Sequence, residues 1–393
     1  MYYEFPIINT LQDVLPHIEG FDEIIIAERE GYKVINYMVS TPRLWERSYG
    51  WEVRRECRGL IFDDEGRLIS RPFHKFFNLG EKEETLPNNV DVTELHHILD
   101  KMDGSMIRPL LLPQTYVLPA ARGLREKPVK TNLYLATKMG VTDIANDAAQ
   151  LLSTEQIALL ITHVEEGFTP LFEYVAPTNK IVINYTEAKL VYLGSRRNEN
   201  GRYFFDRELS DFFERVPFRG MVRNGGLLSW SEGVRGETAG EGYILRFESG
   251  HMVKVKNDWY VRVHKTLDDV RSDRAIVALG LNEELDDVLP LIPEEDRDRV
   301  TEVFDVFMRK LVNKHVEITN ITKIVDEQYR LEGGAYDKKR LALEFVPSLN
   351  DKKLGQFVFA FADGKDLWAI LLQNAKNCVG SGVKYDEFVN WLS

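Results

Sequence analysis

The sequence predicts an α+β protein, with antiparallel sheets over residues 1–264 and an all-helical region over 265–393. Three observations carry this. Short β-branched and aromatic runs bounded by turn residues recur up to about residue 264. One long helical pattern, 141–167, interrupts them. Beyond residue 265 the strand-like runs stop and apolar residues recur at helical spacing.

The elements follow in order. "EIIIAE" (23–28) and "YKVINYMV" (32–39) read as strands. "GLIFDDEGRLISRP" (59–72) reads as a hairpin turning at "DDEGR". Residues 108–130 hold Pro109, Pro113, Pro119 and Pro128, and are expected to form a long loop or insertion. "NLYLAT" (132–137), "LFEYVAP" (171–177) and "KLVYLGS" (189–195) are strand-like, and 141–167 is helical with Gly167 as its cap. "GYILRF" (242–247) and "HMVKVK" (251–256) form a second hairpin around "ESGHM". Val300, Phe304, Phe307 and Leu311 place a long helix over 294–331, and shorter helices follow it. The expected domains are therefore 1–264 and 265–393, an all-helical unit, with the boundary near His264 to Leu267.

Composition narrows the function. The 393 residues carry a net charge of −12, shared equally as −6 in 1–264 and −6 in 265–393. That balance argues against broad binding to polyphosphate, which Lys and Arg drive, but leaves room for a local basic cleft. No stretch is apolar enough to span a membrane, and the N-terminus lacks the basic and apolar regions of a secretory signal. Cys57 and Cys378 lie far apart, which fits a reducing compartment without a disulfide framework or a zinc site. There is no P-loop, no G-x-G-x-x-G after a strand, no kinase H-R-D set and no H-E-x-x-H. His96 and His97 are adjacent, so on a strand they point to opposite faces.

Four stretches could carry chemistry. In "ILDKMDGS" (98–105), Lys101 sits at a strand end. A lysine there can act as a covalent nucleophile if its amine is kept partly neutral, and neighbouring positive charge favours the neutral form. A solvated turn explains the same residues. In "HMVKVK", Lys254 and Lys256 project from one face while Val253 and Val255 pack on the other. Two adjacent cations suit a phosphate between them, although lysines also protect exposed edge strands. Glu173 lies in an apolar strand and Glu241 beside glycines, so each needs a cation, a metal or a ligand hydroxyl unless it faces solvent. Arg58, Lys75 and the aromatics of "HKFFN" flank the first hairpin and could hold a base or phosphate, or simply pack.

The order of these pieces resembles the covalent nucleotidyltransferase superfamily, and in detail the phage-type RNA ligase 1 family. The stretches that carry the resemblance are "ECRG" (56–59) with "SRPFHKFFNLGE" (70–81), "KMDGS" (101–105), "FEYVAPTNKIV" (172–182) and "EGYILRFESGHMVKVKNDWYVRVH" (241–264). It implies an antiparallel-sheet nucleotidyltransferase domain with an ATP-grasp-like adenylation fold, followed by a helical domain that selects RNA. It further implies ATP-dependent joining of RNA 5′-phosphate to 3′-hydroxyl ends through lysyl-AMP on Lys101 and an adenylylated RNA end.

By the same likeness, Lys254 and Lys256 neutralise the α-phosphate, Glu173 holds the ribose, and Arg58, Lys75 and Tyr37 meet the outer phosphates. Asp103, Gly104 and Ser105 lie near nucleoside and nucleophile, and Lys138 of "LATKMG" stands for a further basic strand. Glu241 helps to place Mg²⁺, for which Mn²⁺ could substitute, and Asp286 and Asp287 resemble a family acidic pair, although a solvated helix face explains those two as well. The implied substrates are single-stranded RNA ends or a tRNA anticodon loop in tRNA repair. The implied setting is a monomer in the cytoplasm, the host's if the gene is viral, working beside a polynucleotide kinase-phosphatase. DNA ligases and capping enzymes instead carry an arginine two residues after the motif glycine, where this chain has Met106, and an OB-fold after the position of Lys256. A non-catalytic RNA-binding relative would have lost a motif residue, and Lys101, Glu173, Glu241, Lys254 and Lys256 are all present.

Overall fold

The computed structural model describes residues 4–112, 132–331, 337–349 and 351–393. Two compact units divide the chain, Met1–Val261 and Arg262–Ser393. The division falls inside the helix Asp258–Asp269, so the first unit ends on that helix's opening turn.

The first unit is built from three sheets. A four-stranded antiparallel meander joins β1 (Ile24–Arg29), β2 (Tyr32–Tyr37), β3 (Arg58–Asp63) and β4 (Leu68–Ser70). The next strands are β5 (Phe77–Asn78), β6 (His96–Asp100), β7 (Ser105–Leu111), β8 (Leu133–Ala136), β9 (Phe168–Val175), β10 (Lys189–Arg197), β11 (Tyr203–Phe204) and β12 (Glu214–Arg215). The last are β13 (Phe218–Gly220), β14 (Gly242–Phe247) and β15 (Met252–Lys256). One sheet runs β11-β10-β9-β7-β8 with β12 beside β10, and another runs β13-β6-β14-β15-β5. The chain passes between these two sheets at residues 101–104, directly after β6 and before β7.

Strand periodicity places the core. On β15, Val253 and Val255 are buried while Lys254 and Lys256 are partly exposed, as the alternation requires. Met252 shares the lysine face and is buried as well. Ile98, Leu245, Phe247 and Val253 bury their side chains on the face covered by the helix Leu227–Arg235. Ile107, Phe172, Tyr174 and Tyr192 form the core of the second sheet with Leu160 of the helix Thr154–Glu165. The helical pattern of 141–167 is thus two helices, Asp143–Ala149 and Thr154–Glu165. Ser153 restarts the second by accepting the Gln156 N–H, while Gln156 reaches back to the Ser153 N–H.

The expected loop over 108–130 is corrected at its start. Residues 108–111 finish β7, where Pro109 pairs with Leu135 of β8. Pro113, Pro119 and Pro128 lie outside the described residues.

The second unit is helical throughout its described residues. Its longest helix, Glu294–Leu331, buries Val300, Phe307 and Leu311, and the latter two pack with Leu354, Phe357, Leu371 and Phe388. Phe304 sits partly exposed against the Val300 side of that helix. Among the described residues no helix is long and apolar enough to cross a membrane.

Candidate active site

Strand β6 ends at Asp100, and the Lys101 N–H donates to the Gly242 carbonyl at 2.9 Å, which fixes the lysine backbone against β14. Gly242 permits this crossing. Its φ is +123°, and a Cβ there would stand 2.2 Å from the Val255 carbonyl oxygen. The preceding residue, Glu241, is buried. One of its oxygens lies 2.7 Å from Lys101 Nζ and the other 2.8 Å from Lys256 Nζ. One carboxylate therefore bridges two lysines that are 155 positions apart in the chain.

A cavity of about 690 Å³ opens above this bridge. Lys101, Lys254, Lys256, Arg58 and Lys138 bring positive charge to its wall, Glu173 brings a carboxylate, and Met102, Leu193 and Ile244 supply apolar surface. That volume is of the order that holds a cofactor-sized ligand. Burial is the main reason that the Lys254 amine is pushed down to about 6, with Arg58, Lys75, Lys101 and Lys256 adding repulsion. Burial likewise lifts the Glu173 carboxyl to about 7, with Lys101 opposing and Glu241 assisting. Burial and these four cations thus favour the neutral amine at Lys254, while Lys101 pairs with the Glu241 carboxylate.

The other expected residues fall into three groups. Gly104 and Ser105 line the cavity, and the Ser105 hydroxyl donates to Asn179 Oδ1 at 3.2 Å. Tyr37 and Lys75 are absent from the lining. Lys75 Nζ instead sits 5.3–5.5 Å from the ring centres of Phe77, Tyr37 and Trp45, an aromatic box around a cation whose charge still acts on Lys254. Asp103 also leaves the cavity. Its Oδ2 accepts from the Val182 and Ile183 N–H groups at 2.8 and 2.7 Å, and its Oδ1 accepts from the Tyr260 hydroxyl at 2.6 Å. It clamps the Lys101–Gly104 turn in place, so its work is to position the loop.

Asp286 and Asp287 stand exposed on a short helix of the second unit and take no part in the cavity lining. No group of three or more His, Cys, Asp or Glu side chains suited to a metal occurs among the described residues. Mg²⁺ binds through one or two carboxylates completed by water and substrate phosphates. Lys101 and Lys256 hold both Glu241 oxygens, so Glu241 fits the ion only when one of those contacts opens.

Two features escaped sequence reading. Arg108 is fully buried and donates to Ser70 Oγ at 2.8 Å, to the Thr137 carbonyl at 3.0 Å and to the Gly59 carbonyl. Gly59 follows Arg58 and Thr137 precedes Lys138, so one guanidinium ties both cation-bearing segments to β7. Burial drops its guanidinium to about 9. Below the cavity, Arg196 makes a bidentate pair with Glu56 at 2.6 and 2.7 Å, and Arg71 joins at 3.1 Å. Burial works to raise the Glu56 carboxyl, yet Arg196 and then Arg71 hold it near 2. No local pattern marks either cluster, because the partners come from distant strands.

Two largely antiparallel sheets that hold converging cations over a buried carboxylate define an anion-binding enzyme domain of the α+β class. Residues 56–260, just over half of the chain, match the RNA ligase family, and the chain belongs to it, in the phage type that its motifs resemble. It is an RNA ligase by that membership.

A provisionally named RNA ligase of Thermovibrio ammonificans is 25% identical over 86% of this chain and 88% of its own. The "RNA ligase 1" of bacteriophage TS2126 is 25% identical over 61% of this chain and 58% of that protein. A provisionally named bifunctional polynucleotide kinase/RNA ligase of the Autographa californica nuclear polyhedrosis virus is 28% identical over 68% of this chain, which spans only 40% of that protein. Among solved structures, an archaeal ATP-dependent RNA ligase aligns with 90% of this chain and 96% of its own at 12% identity and a TM-score of 0.43.

Proposed function

We propose that the first unit uses ATP to join RNA 5′-phosphate and 3′-hydroxyl ends through a lysyl-AMP on Lys101. The observation that carries this is the Lys101–Glu241–Lys256 bridge at the floor of a nucleotide-sized, cation-lined cavity. In the first step Lys101 Nζ attacks the α-phosphorus of ATP. An N–P bond forms, the bond to pyrophosphate breaks, and the amine gives up its proton along its contact with Glu241. An RNA 5′-phosphate oxygen then takes the AMP from Lys101, and finally an RNA 3′-hydroxyl attacks that 5′-phosphate and expels AMP.

The side chains supply charge and placement, which is most of what phosphoryl transfer asks of a protein. Lys254 and Lys256 face the α-phosphate, Arg58 and Lys138 meet the outer phosphates, and Glu173 accepts from a ribose hydroxyl. Lys75 and Tyr37 act through the field behind Lys254. Glu241 would hold Mg²⁺ against the phosphates, and the ion would neutralise charge that develops there. The helical second unit supports RNA over the DNA-ligase and capping readings, which call for an OB-fold after Lys256.

Repair of cleaved tRNA in the cytoplasm, as a monomer beside an end-healing kinase-phosphatase, fits this chemistry, and the baculovirus relative is named for both activities in one chain. Incubation with α-labelled ATP and Mg²⁺, followed by denaturing electrophoresis, tests the proposal. Label should stay on the protein and vanish in Lys101→Ala; equal labelling of the two would refute it. Circularisation of 5′-phosphorylated single-stranded RNA should exceed sealing of nicked duplex DNA.

A further inference from the structure

The sheet face that carries the cavity does not end at the cavity rim. Ile244 and Arg246 of β14 line it, and across the strands Ile244 pairs with Leu99 while Arg246 pairs with His97. On the next strand outward, β13, Phe218 stands opposite Leu99 and so points to the same side. The His97 and Phe218 rings meet edge to face at 5.1 Å. Arg246 also reaches the other sheet, where its guanidinium lies 5.2 Å from the Phe205 ring centre, and Arg215 covers the same ring at 5.6 Å. A continuous strip of Phe218, His97, Arg246, Phe205 and Arg215 therefore leads away from the cavity, with each neighbour in contact with the next.

The state of these groups is unusual for a surface with no ligand. Phe218 is 58% exposed and Phe205 38%. Among the described residues, neither Arg215 nor Arg246 has a carboxylate partner. By contrast Arg219, from the same segment, points to the opposite face and is paired with Asp100 at 2.5 and 2.6 Å. Burial, and then Arg246, hold the His97 imidazole below its usual value, so it presents a neutral ring. Arg246 is half-buried and donates to the Leu193 carbonyl at 3.0 Å, whereas Arg215 is exposed. Exposed rings beside guanidinium groups that no carboxylate neutralises match single-stranded nucleic acid, whose bases stack on rings and whose phosphates pair with arginine. A folded duplex cannot use the rings, because its bases are already stacked.

We infer that this strip seats the single-stranded RNA next to the end being joined and feeds that end toward Lys101. The inference rests on the ligase reading above. It adds the path of the RNA and a preference for unpaired ends that is set by the first unit itself.

Of the strip, Arg246 lines the cavity, while Phe218 and Arg215 lie outside the lining, so substituting those two leaves the cavity wall intact. The test uses the full chain without ATP and a 5′-phosphorylated single-stranded RNA whose 3′ end is blocked by a fluorophore, read by anisotropy. Combining Phe218→Ala with Arg215→Ala should weaken binding by about tenfold or more, since each lost stacking contact costs about that factor. Phe218→Trp should keep wild-type affinity. Self-adenylylation by the double variant should stay within about twofold of wild type, a range that stacking losses far exceed. Affinity unchanged in the double variant overturns the inference, as does equally tight binding of a blunt RNA duplex with the same loss. If the double variant also loses adenylylation, Phe218→Leu decides: it must weaken RNA binding alone, and if it does not, the inference fails. Absence of label on the wild-type protein would instead count against the ligase reading and leave this titration standing.

Discussion

Replacing Gly104 with alanine gives the sharpest test of how Lys101, the proposed nucleophile, is held. The new Cβ would lie 2.3 Å from the Tyr174 carbonyl oxygen and 3.0 Å from Val175 Cγ1, where ordinary contact begins at 3.4 Å. The obstructing atom is backbone in the middle of the sheet, since Tyr174 of β9 is paired with Ser105 of β7 and Leu190 of β10. The strand cannot yield, so the 101–104 turn must move out by about 1 Å. That movement pulls on the Lys101 bond to Gly242 and on the Asp103 clamp. Overpacking of this kind costs about 1–3 kcal/mol, and misplacing a reacting group by about 1 Å costs roughly 100-fold in rate.

Single-turnover formation of the lysyl adduct from α-labelled ATP, quenched over time, measures the rate, and a thermal melt measures the stability. Gly233→Ala is the matched control. It sits inside the helix Leu227–Arg235 with nothing within 4 Å of its Cβ, so it should stabilise by ~1 kcal/mol. Adduct formation in Gly104→Ala within about threefold of wild type would refute the steric account, since a misplaced nucleophile should cost far more.

Further outcomes follow from the charged groups. In the folded state Glu173 titrates near 7, above its ordinary 4.5, so the fold keeps a proton that the unfolded chain releases, and stability should fall as pH rises through that interval. Glu173→Gln should remove this slope from melting curves, and parallel curves for variant and wild type would sink the assignment. Lys254 titrates near 6 in the fold against an ordinary 10.5, so at pH 7.5 it is neutral and should take up about one proton when a triphosphate binds. Calorimetry with a non-hydrolysable ATP analogue in buffers of different ionisation enthalpy should show that uptake, and Lys254→Met should abolish it. Arg108→Met orphans the Gly59 and Thr137 carbonyls, at ~1–3 kcal/mol each. It should also raise the KM for ATP, because Arg58 and Lys138 lose their common anchor; a KM equal to that of the wild type would show that Arg108 serves stability only.

Much of this protein is determined by the sequence by itself. The period-two alternation at Lys254 and Lys256, the "DDEGR" and "ESGHM" turns and the helical spacing around Phe307 are local properties, set by backbone geometry within a few residues. The ordered motifs around Lys101, Glu173, Glu241 and Lys256 identified the family for the same reason: each is a short segment that keeps its chemistry whatever surrounds it. Only the tertiary structure decided which of those groups meet. Glu241 bridges Lys101 and Lys256 because β6, β14 and β15 are neighbours in one sheet. Asp103 turned from the cavity because the Val182 and Ile183 amides and Tyr260 lie behind it. Lys254 became the neutral cation because burial and four other cations act on it at once. Arg108 tied Arg58 to Lys138 across three strands. Charge, burial and hydrogen bonding act through space over a few ångströms, and strand pairing sets those distances between residues that the chain keeps far apart.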